Sequence, residues 1–382
     1  MTTAFAEIKE QAVLSRESPS RLLGLARTNL KHFWDQSLRA GGRPRPITKF
    51  ATLLCAKKGQ ETVLFRFPRA CRAKLKNAKG FSIRVEERSD GGTDLSIENG
   101  SLVDEDIFAF IALDLLELDY KFENDSPGTR FGLIVGRLKA WRQFMQDRSR
   151  RLTPQQELGL AGELYFLRRS LEKGVSVPSV ASFWTGPKRA ARDFTFGGEV
   201  FVEVKTSTTA LPLRAKIDSL EQLDAGSARA LFLCAVVLRR EEADAVGDLD
   251  KAARSEFFSL DKMANDVEVR LPDEVLREEF RSLLIVAGLG AEQREESRSR
   301  FQPQGMRFFR AEALPSITPG KIPGIVKAAY EIELLDAAGE ASPAAALASV
   351  EDEAAWVELI SSGGATEDDS LDVSDEDEQT AG

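Results

Sequence analysis

The run Val-Phe-Val-Glu-Val-Lys-Thr-Ser at residues 200–207 constrains this chain more than any other stretch. Its β-branched and aromatic content predicts a strand, and side chains along a strand alternate faces with period two. Val200, Val202 and Val204 then line one face, with Phe201, Glu203 and Lys205 on the other. An isolated buried charge is costly, so a carboxylate and an ammonium in such a strand must be paired, coordinated or turned toward an opening. Just upstream, Ala-Arg-Asp-Phe-Thr-Phe at 191–196 precedes Gly197-Gly198. A Gly-Gly pair between two apolar runs predicts a hairpin turn, which returns Asp193 to the side of Glu203. Two carboxylates and a lysine at one point are what metal-dependent phosphodiester chemistry needs.

Other chemistries are removed by what the chain lacks. Its single histidine, His32, lies far from any nucleophile motif, so a Ser/His/Asp triad and a multi-histidine metal site are both excluded. His32 reads as an ordinary helix or packing residue. No Gly-x-x-x-x-Gly-Lys-Ser/Thr loop is present, which excludes a P-loop ATPase within the chain. Cys55, Cys71 and Cys234 are scattered and odd in number, giving neither a disulfide framework nor a zinc site. At 382 residues and 42% hydrophobic content, the chain is long enough for two globular domains. No apolar run reaches membrane-spanning length and the N-terminal residues lack a signal peptide's apolar stretch, so the expected location is cytoplasmic, with no membrane association.

The formal charge of -9 is concentrated. Residues 351–382 carry twelve Asp/Glu and no Lys or Arg, while residues 21–88 carry seventeen Lys/Arg against four Asp/Glu. The basic stretch, with Arg43, Arg45, Lys57, Lys58, Arg69, Arg72, Lys74, Lys76 and Lys79, is the expected contact for a polyanion backbone. Its alternative is a solvated face. The acidic end is expected to be disordered, either as a solubilising appendage or as a competitor with DNA for the basic surface.

Strand-like runs at 50–55, 62–67, 81–86 and 93–98 are followed by predicted helices at 104–118, 127–147 and 153–173. After the hairpin, a helix is expected to open at Leu220–Leu223. Residues 230–238 are wholly apolar and predict a strand buried on both faces. Helices at 261–267 and 272–287 and strands at 306–311 and 328–335 complete the pattern. The expected fold is α/β in three parts: a basic, mixed β/α domain over 1–125, the site-bearing domain over 126–340 and an acidic tail over 341–382.

Helix, strand with Asp193, strand with Glu203-Val204-Lys205, then an apolar strand, in that order, resembles the PD-(D/E)XK nuclease superfamily, which includes restriction endonucleases. Arg192 stands where the superfamily pattern has proline. The setting Gly162-Glu163 on the preceding helix matches an acid many members carry, with Glu157 as the alternative. Leu-Gly-Leu-Ala-Gly-Glu-Leu at 158–164, Trp-Thr-Gly-Pro at 184–187, Asp193-Phe194 and Val-Glu-Val-Lys-Thr-Ser at 202–207 resemble a bacterial family of PD-(D/E)XK-type proteins. That family is found beside DNA methyltransferases and ATPases in defence clusters. The resemblance implies a restriction-endonuclease-like core and a Mg²⁺- or Mn²⁺-dependent deoxyribonuclease of a restriction or phage-defence system. It implies catalytic roles for Asp193, Glu203, Lys205 and Glu163, and metal ligation by Asp193, Glu203 and the Val204 carbonyl. Thr206 and Ser207 are candidate phosphate contacts, and Gln222 lies where some members carry a helical polar residue. The implied partners are DNA, a second copy of the chain, and an ATPase/helicase or methyltransferase. The other reading is a non-catalytic nucleic-acid-binding subunit on a nuclease-derived fold.

Overall fold

The computed structural model describes residues 30–43, 45–47, 51–55, 60–100, 105–146, 152–177, 179–188, 190–197, 199–209, 212–242, 256–290 and 299–334. The expected acidic tail, Lys57, Lys58 and Gly198 lie outside them. The bounded helices of eight or more residues are α1 (Glu105–Lys121), α2 (Pro127–Gln146), α3 (Pro154–Glu172), α4 (Leu260–Glu268) and α5 (Glu274–Val286). The chain divides into two compact units: Met1–Glu157, Ser179–Ala181 and Leu271–Arg298 in the first; Leu158–Pro178, Ser182–Arg270 and Ser299–Gly382 in the second. The expected boundary at residue 125 falls in the turn between α1 and α2, both of which the first unit contains.

In the first unit, β1 (Arg45–Pro46), β2 (Ala51–Cys55), β3 (Glu61–Phe67), β4 (Phe81–Glu87) and β5 (Thr93–Asn99) form an antiparallel sheet. Its order is β1-β2-β3-β5-β4. Every second residue of β5 is buried, the mark of a sheet with one core face. Val63, Phe65, Leu95 and Ile97 meet Phe108, Ile111 and Leu115 of α1, Ile134 and Leu138 of α2, and Ile285 of α5 in one core. Charges inside it are paired, as burial demands. Arg130 bonds Asp119 at 2.6 Å with both side chains almost fully buried, and Arg137 reaches Glu278 of α5 at 2.5 Å. His32 lies in the helical segment 30–39 and meets Gln36 one turn on.

The second unit is built on a mixed sheet of β6 (Phe194–Phe196), β7 (Val200–Ser207), β9 (Ala230–Glu242) and β10 (Ser299–Arg310), in the order β10-β9-β7-β6. The hairpin pairs Phe194 with Val202, so Asp193, one residue ahead of β6, comes level with Glu203. β7 and β9 run parallel, with Glu203 beside Leu233 and Lys205 beside Ala235. A parallel pair needs a crossover, and residues 208–229 supply it. They carry β8 (Arg214–Ile217), which pairs with β11 (Tyr330–Glu333). Leu213, Ala215, Ile217 and Leu223 of the crossover pack over one face of β9, at Leu231, Leu233, Ala235 and Val237, and the first nine residues of the strand are buried. The helix expected to open at Leu220–Leu223 is instead a turn. The Gln222 side chain takes the Asp218 N–H that a continuing helix would leave to the backbone, and the chain turns left-handed at Gly226, so the stretch closes as a turn. Among the described residues, no helix is long and apolar enough to cross a membrane.

Candidate active site

The helix that carries Glu163 is set at its start by Thr153. Its Oγ1 accepts from Gln156 N at 3.3 Å and its own N–H donates to Gln156 Oε1 at 2.8 Å, a capping box, with Pro154 at the first helical position. Gly162 then lets α3 approach β7 closely: a Cβ there would stand 1.9 Å from Thr206 Oγ1. The next residue is Glu163. Glu157, the alternative acid, lies in the first turn of α3, about 9 Å further back along the helix axis.

Trp184, fully buried, donates its indole N–H to Glu163 Oε2 at 2.7 Å. The backbone N–H groups of Thr185 and Gly186 both donate to the Asp193 carbonyl, at 2.8 and 3.0 Å. The Trp-Thr-Gly-Pro segment thus holds the Glu163 side chain and the Asp193 main chain together. Gly186 occupies the gap between the acids. A Cβ on it would lie 2.8 Å from both Asp193 Oδ1 and Glu163 Oε2, so these oxygens are at most about 5.6 Å apart, twice that distance. The Val204 N–H donates to Asp193 Oδ2 at 2.8 Å and orients the carboxylate.

On β7, Glu203 is 3% exposed. Lys205 Nζ lies 3.0 Å from Glu203 Oε1 and 3.8 Å from Asp218 Oδ2. Gln222 connects them. Its Nε2 donates to Glu203 Oε1 at 2.5 Å, while its Oε1 accepts from Lys205 Nζ at 3.1 Å and from Asp218 N at 2.7 Å. The expected superfamily residue on a helix is therefore a turn residue here, brought in by the crossover. Asp193, Glu203, Lys205, Glu163 and Gln222 all converge. Ser207 Oγ is engaged in a turn with Thr209. Thr206 Oγ1 is buried beside Gly162 with no hydrogen-bond partner among the described residues.

Burial pushes Asp193 up to about 6, against the lowering effect of the Val204 N–H, Lys205 and Arg192. Burial, then the charge of Asp193, pushes Glu203 up to about 8, although Lys205 and Arg192 favour its ionised form. Glu163 is raised well above the ordinary carboxylate range, first by burial and then by Asp193. Groups this close release protons as a set rather than singly. Arg192, in the proline position, donates to the Ala191 and Asp224 carbonyls. Its guanidinium is a second cation facing Glu203 and Asp193.

The donor set suits a hard, oxygen-ligated cation in kind: carboxylates whose charge the protein alone does not fully offset, with Asp193 and Glu163 approached so closely by Gly186 that a Cβ there would clash with both. Among the described residues, no three His, Cys, Asp or Glu side chains stand as a ready-made coordination group. Two carboxylates and a main-chain carbonyl do not require a third.

Neither Trp184 nor Gly186 is legible as a site residue from its type alone. The signal was the compact Trp-Thr-Gly-Pro sequence, whose glycine has a reason only once both acids are in place. A family model described as "Putative PD-(D/E)XK family member" (DUF4420) matches residues 44–335. No curated protein and no solved structure matches the chain.

Proposed function

The chain belongs to that PD-(D/E)XK family, and from this premise we propose that it is a metal-dependent endonuclease hydrolysing DNA phosphodiester bonds. The observation that carries the reading is the convergence of Asp193, Glu203 and Lys205, with Lys205 Nζ 3.0 Å from Glu203 and both acids raised by burial. On this reading the mixed sheet is a restriction-endonuclease-like core. Asp193, Glu203 and the Val204 carbonyl would hold Mg²⁺ or Mn²⁺, and Glu163 would extend the donor set. When bound, the cation supplies Lewis-acid stabilisation of phosphoryl charge and makes water more acidic. Lys205, fixed by Glu203 and Gln222, faces the negative charge that develops on the phosphoryl oxygens and orients the attacking water. Trp184 and Gln222 hold the acids in place as positioning residues.

A polyanionic substrate is further supported by the segment between β3 and β4. Residues 68–80 contain Arg69, Arg72, Lys74, Lys76 and Lys79 and no acid, and all five cations are exposed. Cys71, Ala73, Leu75 and Ala78 alternate with them and pack on the core of the first unit. Thr93 Oγ1 accepts from Cys71 N at 2.8 Å, and Asn77 Oδ1 from Ile83 N at 3.0 Å, so the segment is an anchored basic strip. Such a strip meets phosphates without reading sequence. The proposal extends to a homodimer for duplex cleavage. It also extends to a restriction or phage-defence setting beside an ATPase/helicase or methyltransferase, as the resemblance implies.

The test is plasmid nicking in Mg²⁺ or Mn²⁺ by the wild type, Asp193→Ala and Lys205→Ala. Each substitution is expected to cost about a hundredfold or more; cleavage that survives both overturns the assignment. Calorimetry separates the second reading. A wild-type protein that takes up neither cation, even with DNA present, is a non-catalytic nucleic-acid-binding subunit.

A further inference from the structure

Residues 314–329, between β10 and β11 in the second unit, present lysines and apolar side chains to solvent on a stiff scaffold. Thr-Pro-Gly-Lys at 318–321 and Ile-Pro-Gly-Ile at 322–325 are consecutive β-turns, closed by Lys321 N to Thr318 O at 3.1 Å and Ile325 N to Ile322 O at 3.2 Å. Gly320 and Gly324 have φ of 77° and 86°, the left-handed third position of type II turns, and each follows proline. Ile317 N donates to the Tyr330 hydroxyl at 2.9 Å and Lys321 Nζ to the Ser316 carbonyl at 2.6 Å, which ties the loop to itself and to β11. Yet Val326 is 92% exposed and Ile322 44% exposed. Apolar side chains held on an ordered loop lose little further freedom when a partner covers them.

Two observations identify that partner. The loop contains Lys321 and Lys327 and no Asp or Glu. It also opens at the active-site end of its two-stranded sheet. Tyr330 pairs with Ile217, and the next residue, Asp218, lies 3.8 Å from Lys205 and donates its N–H to Gln222. Val326 precedes Tyr330 by four residues, at most about 14 Å of chain, the rise of about four nucleotides along one DNA strand.

We propose that this twin-turn loop grips the DNA duplex beside the scissile phosphate, with Lys327 on a backbone phosphate and Val326 against the sugars next to it. The proposal rests on the nuclease reading of the same site. Apolar side chains flanked by cations suit a duplex, where the cations take phosphates and the apolar group takes sugar and groove surface.

The test is fluorescence anisotropy of a labelled duplex with the full-length protein in EDTA, across a salt series, so that no cleavage is read. Lys327→Gln is expected to weaken binding and to reduce the salt slope by about one. Val326→Ser is expected to weaken it several-fold with the slope unchanged, because no charge is lost. Both positions are exposed, and an unchanged melting temperature checks that the fold is intact. If the wild type binds duplex and both variants match it in affinity and slope, the loop proposal is overturned and the nuclease reading stands. A wild type that binds no duplex overturns the loop proposal, and plasmid nicking with the cation present then decides the nuclease reading.

Discussion

Glu203 is buried between an ammonium and a second carboxylate, and that position fixes how the metal-free protein responds to pH. Its pKa rises from an ordinary 4.5 to about 8 on folding. The folded state therefore holds a proton that the unfolded chain has already released. The associated stability is full below about pH 4.5 and is lost as pH rises toward 8, at up to about 1.4 kcal/mol per pH unit. Asp193, raised to about 6, adds to the loss in the lower part of the same window. Glu203→Gln removes the titration while keeping the hydrogen-bonding shape. In EDTA, the variant's gain in melting temperature over wild type should grow from pH 5 to pH 8; an equal gain at both would contradict the assigned shift. Cation binding needs the ionised acids, so the same window favours loading as pH rises.

At the scale of elements, the site depends on how closely α3 can lie against β7. A Cβ at Gly162 would overlap Thr206 Oγ1 at 1.9 Å. Gly162→Ala should cost about 1–3 kcal/mol by overpacking and loosen Glu163, the next residue. Urea denaturation checks the stability, and adding Thr206→Ala should recover part of it; full stability of Gly162→Ala alone would refute the packing account. These elements were largely legible in sequence. Period-two alternation and the Gly-Gly turn give β6 and β7, a Thr-Pro start gives α3, and the wholly apolar run gives β9. The residues carrying the charges, Asp193, Glu203 and Lys205, were legible because charges in an apolar strand need a reason. What holds them was harder to read. Trp184, Gly186 and Gln222 come from a loop and a crossover turn, where no periodicity exists and placement depends on contacts distant in sequence. Leu220–Leu223 misled for the same reason: a few apolar residues fit a helix start and a packed turn equally well.

At the scale of the whole molecule, the first unit is assembled from stretches that the second unit interrupts. α5 is reached only after β6, β7 and β9, yet its Glu278 bonds Arg137 of α2, which is 4% exposed, and Lys121 of α1. Removing one partner of such a pair costs about 3–5 kcal/mol. A fragment of residues 1–157 should therefore bind a hydrophobic dye and exchange its amide hydrogens rapidly, while the full chain does neither; native-like protection in the fragment would show that α5 is dispensable. The same interleaving bears on inheritance. A gene for this protein has no junction at which the nuclease-like unit could be cut out and joined to a foreign recognition module without taking a helix from its neighbour's core. Recombination would have to move the two units together, so variation in such a lineage should arise by substitution at exposed segments rather than by exchange of cassettes.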